Sequence, residues 1–161
     1  MVVKRMKTIS RLRLDMYLIK HLPTRLSGLS KFERTKLGEI YAAAMHRERF
    51  YTKTLKLMKQ GYFTENFSMS EDRQLYWQAR LWRKKKDEGF MAKVIEQINK
   101  KYPRSEAHED ILLEVSRAFK GNNNDEVAEI WWKKLLENFP KKRSGEIAAW
   151  ELAWYHYQQK N

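Results

Sequence analysis

Six carboxylates gather in two neighbouring stretches of the C-terminal half: Glu106, Glu109, Asp110 and Glu114 in one, Glu126 and Glu129 in the next. Glycoside cleavage uses a pair of carboxyl groups, one of them kept protonated by a raised pKa. Each of these six falls where a solvated helix face or a helix N-terminus places an acid anyway, so the pattern singles out no proton donor. The four histidines, His21, His46, His108 and His156, are scattered and form no HxxxH or HExxH pair, which leaves metal ligation without its spacing. The absence of cysteine excludes thiolate chemistry, disulfides and cysteine-based zinc sites. There is no glycine-rich phosphate loop, and no serine in a nucleophile-elbow context. The residues therefore assign no catalytic group, no metal site and no cofactor.

Binding has better candidates. Arg80, Arg83, Lys84, Lys85 and Lys86 form the densest basic run. It suits phosphates or other anionic groups, although cations at a helix C-terminus are also favoured by the helix dipole alone. Tryptophans stack on sugar rings or bases when exposed. Trp77, Trp131 and Trp150 lie on apolar ladders and are expected to be buried, whereas Trp82 and Trp132 lie at the edge of them and are the expected exposed pair. The candidate ligand or polyanion contacts are thus Arg80, Trp82, Arg83, Lys84, Lys85 and Trp132.

The charge balance agrees with an anionic partner. The 161 residues carry a formal net charge of +13, and residues 1–34 hold nine Lys/Arg against Asp15 and Glu33. A positive field of that size favours nucleic acid, anionic lipid or an acidic polymer, and equally keeps a surface soluble.

The elements that must position these residues are helices. Phe90, Val94, Ile98 and Tyr102 form a ladder at four-residue steps, closed by Pro103-Arg104-Ser105. The ladder recurs 37 residues later as Val127, Trp131, Leu135 and Phe139, closed by Pro140 and succeeded by Ser144. Helical spacing that ends at proline, then a serine able to cap a new helix, predicts helix, stop, helix. A unit of this length in tandem marks an α-solenoid. The expected fold is all-α, a right-handed α-solenoid of antiparallel, tetratricopeptide-like helix pairs with about seven helices. The expected spans are 8–22 alone, 31–47 with 50–61, 71–85 with 88–101, 106–119 with 125–138, and an unpaired 145–159. Residues 1–29 form an N-terminal basic helix and loop. Residues 31–161 form the helical-repeat domain, divided near 31–62, 70–104, 105–143 and a half repeat at 144–161. Ser30 and Glu33 fit a capping box, Ser70, Ser105 and Ser144 are expected helix starts, and Asn124 or Asp125 caps the Val127 helix. Residues Tyr62 to Met69 are expected to form a polar-aromatic loop.

The pattern over residues 31–161 resembles tetratricopeptide-like repeats, and more closely the non-catalytic superhelix of the soluble lytic murein transglycosylases. The residues that carry the likeness are Leu75-Tyr76-Trp77-Gln78-Ala79-Arg80, Lys101-Tyr102-Pro103-Arg104-Ser105, Glu137-Asn138-Phe139-Pro140 and Ala148-Ala149-Trp150-Glu151-Leu152-Ala153-Trp154. The resemblance implies a scaffold or binding domain whose partner is peptidoglycan or a cell-wall protein. In that family the catalytic acid is the Glu of a glutamate-serine pair in a separate domain. No Glu-Ser dipeptide occurs in this sequence, so the resemblance transfers no catalytic residue and implies no glycan-cleaving activity for this chain. Two alternatives stand beside it: a tetratricopeptide-type adaptor binding an acidic peptide, and a basic helical nucleic-acid binder.

No apolar run reaches the length of a transmembrane helix. The basic start, Lys4-Arg5-Met6-Lys7, is succeeded by Arg11, Arg13 and Asp15, which interrupt any signal-peptide apolar core. The expected location is the periplasm or cell envelope if the sequence belongs to a longer exported protein, and the cytoplasm if it is complete.

Overall fold

A computed structural model describes residues 15–22 and 26–160, which are mainly helical, with no strand among them. The elements are α1 (Asp15–His21), α2 (Lys31–Arg47), α3 (Tyr51–Lys59), α4 (Tyr62–Phe67), α5 (Glu71–Lys84), α6 (Glu88–Lys101), α7 (Glu106–Gly121), α8 (Asp125–Asn138) and α9 (Arg143–Gln159). The all-α class and most boundaries agree with the sequence pattern. The expected start of the first helix, residues 8–14, lies outside the described residues. The chain divides into two compact units after Met91.

The turn that joins a long helix to its successor is the same in three places. α2, α5 and α7 each end in a residue of left-handed backbone, Arg49 (φ 61°), Lys86 (φ 60°) and Asn123 (φ 56°). These positions are 37 residues apart, the same offset as the apolar ladders. At each, the left-handed residue donates its N–H back into the helix, to the carbonyls of His46, Arg83 and Lys120. The next residue reaches further back, with Phe50 N–H to Met45, Asp87 N–H to Trp82 and Asn124 N–H to Phe119. This double closure satisfies carbonyls that a helix end otherwise leaves bare. In two of the three turns that next residue also caps the new helix: the Asp87 carboxylate accepts the Phe90 N–H, and the Asn124 side chain accepts the Val127 N–H. A three-residue link therefore reverses the chain and starts a new helix.

In the first unit α1 packs on α2, and α2, α3 and α4 pack together, with α3 against α5. Asp15, 1% exposed, is held by two bonds from the Arg47 guanidinium at 2.7 and 2.8 Å, which fastens α1 to the end of α2. Glu39 on α2 accepts from both Arg73 (2.8 Å) and the Trp77 indole (2.7 Å) on α5. The expected capping box is present: Ser30 accepts the Glu33 N–H, and the Glu33 carboxylate accepts the Ser30 N–H. The bonds from Ser30, backbone before side chain, hold the Glu33 carboxyl below its ordinary pKa.

Several expectations fail in this unit. Residues 62–67 form a helix, not a loop, because Phe63 and Phe67 sit one turn apart and are both fully buried. At about 1.5–3 kcal/mol for each buried aromatic, that burial outweighs the weak helix propensity of so short a segment. Gly38 makes the room: a Cβ there would come 2.7 Å from the Phe67 Cβ. Ser70 holds the N-cap position of α5 but makes no side-chain cap bond. Phe90, placed on the core ladder by its spacing, is 49% exposed and stacks on Trp82. Met16 on the first helix is likewise 54% exposed.

In the second unit α8 packs against both α7 and α9. Against these two neighbours it buries the stripe of Ala128, Trp131, Trp132 and Leu135. Ser144 does not cap α9: the helix starts at Arg143, and the Ser144 hydroxyl donates to Glu109 at 2.7 Å. Gly145 allows the close approach, since a Cβ there would collide with the Phe139 carbonyl oxygen.

An L residue in left-handed backbone carries about 1–2 kcal/mol of steric strain that glycine escapes, part of which glycine gives back as chain entropy. Arg49→Gly and Lys86→Gly should therefore each raise the unfolding free energy by about 0.5–1 kcal/mol, and Lys86→Val should lower it. Urea unfolding measures this. A loss of stability in both glycine variants would show that the turns are not left-handed.

Candidate functional site

The basic run at the end of α5 is split by helix geometry. Arg80 lies on one side, with its guanidinium 4.8 Å from the Trp77 ring and 5.5 Å from the Tyr76 ring. On the other side Trp82 stacks on Phe90, with centroids 4.7 Å apart and planes 19° from parallel. The Lys85 ammonium covers the same indole at 4.6 Å and approaches the Thr52 hydroxyl at 3.5 Å. Trp82 and Arg83 are half-buried, and Lys84 and Lys85 are exposed. Trp82, Phe90 and Lys85 thus make a small cation-aromatic surface. The hairpin turn assembles it: Asp87 fixes the start of α6, and that brings Phe90 back onto Trp82.

Trp132 does not belong with them. It is 1% exposed, on the buried stripe of a helix packed against both α7 and α9, with the Lys120 ammonium 5.7 Å from its ring. Trp150 is the opposite correction. Its place on the ladder suggested burial, but it is 69% exposed, on a side of α9 that no other helix of its unit covers. Trp154 and Tyr157 are also exposed, at 45% and 60%, with their rings stacked at 5.6 Å.

The second unit holds a basic groove that no linear run announces. It is an open cavity of about 630 Å³, lined by Ala92, Lys93, Glu96, Gln97, Lys100 and Lys101 of α6 and by Lys134 of α8. Four lysines surround one carboxylate: Glu96 lies 4.0 Å from Lys100 and 3.9 Å from Lys134. Lys134 also covers the Trp131 ring at 5.0 Å. The excess of cations suits a carboxylate- or phosphate-bearing ligand. Lys93, Lys100 and Lys101 are spread over two helical turns and Lys134 comes from another helix, so a search for adjacent charges passes over the set.

Glu109 is one of the six acids considered for proton donation. It accepts from Lys142 at 2.6 Å and from Ser144 at 2.7 Å. Partial burial pushes its pKa up, but those two bonds and the Lys142 charge outweigh burial and hold the carboxyl below its ordinary value. A general acid for glycoside cleavage needs the reverse. Glu109 instead ties α7 to the start of α9. Glu129 binds Lys133 at 2.9 Å and lies 3.4 Å from His156. No group of three His, Asp or Glu able to hold a metal ion occurs among the described residues.

His108 is buried at the third position of α7. Its backbone N–H is capped by Ser105, and its Nδ1 donates to the Pro103 carbonyl at 3.0 Å. The ring meets Phe139 edge-on at 5.5 Å. Burial, with the Lys134 charge, lowers its pKa against the raising effects of the Pro103 bond and Glu96. It therefore stays neutral in the folded chain while the unfolded chain takes up a proton below the ordinary value of 6.5. The unfolded state then binds more protons, so stability is full above that value and falls as pH drops through it. His108→Gln keeps a donor for Pro103 and should flatten this part of the stability–pH profile, read by urea unfolding between neutral and mildly acidic pH. An unchanged profile would contradict the assignment.

Comparison with known proteins finds no matching family model, no matching curated protein and no matching solved structure.

Proposed function

We propose that this chain is a non-catalytic helical-repeat scaffold, a binding domain of the kind that forms the superhelix of soluble lytic murein transglycosylases, stacked as a right-handed solenoid. The observation that carries this reading is the hairpin turn recurring at Arg49, Lys86 and Asn123. Repeats built this way work by presenting surface, because each unit is mostly spent on burying its neighbour. The low pKa of Glu109 and its use as a structural tie support a role without glycan cleavage. The lysine groove supports an anionic partner, for which the carboxylates of peptidoglycan stem peptides are suited. An acidic peptide, held as a tetratricopeptide adaptor would hold it, is the second reading, and the same groove favours it.

The purified chain should sediment with purified cell-wall sacculi, release no anhydro-muropeptides, and lose sacculus binding about tenfold in the Lys100→Glu/Lys134→Glu double variant. Formation of anhydro-product would overturn the non-catalytic role. Absence of sacculus binding, with salt-sensitive binding of an acidic peptide instead, would leave the adaptor; steep salt-dependent binding of nucleic acid would displace both.

A further inference from the structure

Part of the exposed side of α9, the strip of Ala149 and Ala153, has buried counterparts elsewhere in the repeat. Ala42, Ala79 and Ser116 occupy equivalent positions at steps of 37 residues, and all three are 0% exposed. Ala153 stands at the next step and is exposed. Leu112 on α7 is fully buried, and its equivalent on α9, Ala149, is exposed. α7, which buries this side, packs on α8, the helix that comes after the Asn123 turn. The repeat therefore specifies the shape of the occupant that α9 accepts, an antiparallel helix.

We infer that this occupant is α9 of a second copy of the chain. Glu146, Ala149, Trp150, Ala153, Tyr157 and Lys160 fall at helical steps of three, four and seven, and so share one face. That face is self-complementary about a two-fold axis at Ala153. An antiparallel pair related by that axis sets each residue against the one equally far beyond Ala153. Glu146 then meets Lys160 of the second copy, an acid against a base. Ala149 meets Tyr157, a small residue against a large ring. Ala153 meets itself, where two backbones come closest. Within each helix the Trp150, Trp154 and Tyr157 ridge runs beside the Ala149 and Ala153 groove, so each ridge packs into the other copy's groove. A two-fold pair of this kind is isologous and closes at two copies. The helix spans 17 residues, about 25 Å, which makes the interface small and the dimer weak.

The chain has no cysteine, so single cysteines report the geometry directly. Ala153→Cys should give a covalent dimer with a short bis-maleimide. Glu146→Cys should not, because two copies of residue 146 lie about 20 Å apart in the antiparallel pair. Sedimentation of the unmodified chain should show a concentration-dependent monomer–dimer equilibrium. Trp150→Glu, a change at an exposed position, should weaken it about tenfold or more while circular dichroism stays helical. Glu146→Lys and Lys160→Glu should each weaken it, and the two together should restore it. Three results would overturn the inference: a monomer up to millimolar concentration, cross-linking of Glu146→Cys as ready as that of Ala153→Cys, or charge variants that do not rescue each other. So would a different protein's helix that occupies this face while the chain itself stays monomeric.

Discussion

After α2, α5 and α7 the chain reverses direction in three residues by putting one of them in left-handed backbone, where an L side chain crowds its own carbonyl. This chain accepts that strain at Arg49, Lys86 and Asn123, and only the last is a residue type that tolerates the conformation well. In return each long helix closes its terminal carbonyls and the next helix begins at once, capped by Asp87 or Asn124 in two of the three. The geometry of the rest is set locally. The turn after α5 brings Phe90 onto Trp82. The turn after α7 lays α8 back along it, burying Trp132.

Polar side chains supply further fixings. A carboxylate ties one long helix to another in each unit: Glu39 to Arg73 and Trp77 in the first, Glu109 to Lys142 and Ser144 in the second. Buried Asp15 fastens α1 through Arg47. Where the backbone must come closest, glycine stands: Gly38 beneath Phe67 and Gly145 beside the Phe139 carbonyl. Glu109, one of the acids with the look of chemistry, is therefore committed to holding helices together.

The helical class was legible because apolar residues recur at three- and four-residue steps and the stops carry proline, glycine or asparagine. The ladder also revealed the 37-residue offset. It did not reveal the third copy of the turn, since Arg49 and Lys86 carry no sign of left-handed backbone in their side chains. The α4 helix was hidden for a different reason. Its six residues are too few for periodicity to speak, and it exists through tertiary burial of Phe63 and Phe67. Exposure was the least legible property. A ladder position says which way a side chain points along its own helix, not whether another helix waits there. Trp132 sits on a helix packed against two others and is buried, and Trp150 points where its unit leaves it exposed. The lysine groove was hidden likewise, because Lys134 joins the α6 lysines only once α8 has folded.

The backbone angle at the three turns decides the account. Three-bond couplings and Cβ chemical shifts from NMR report φ at Arg49, Lys86 and Asn123 in solution. Values near +60° at all three are predicted. A negative φ at any one of them would contradict a repeat built on this turn.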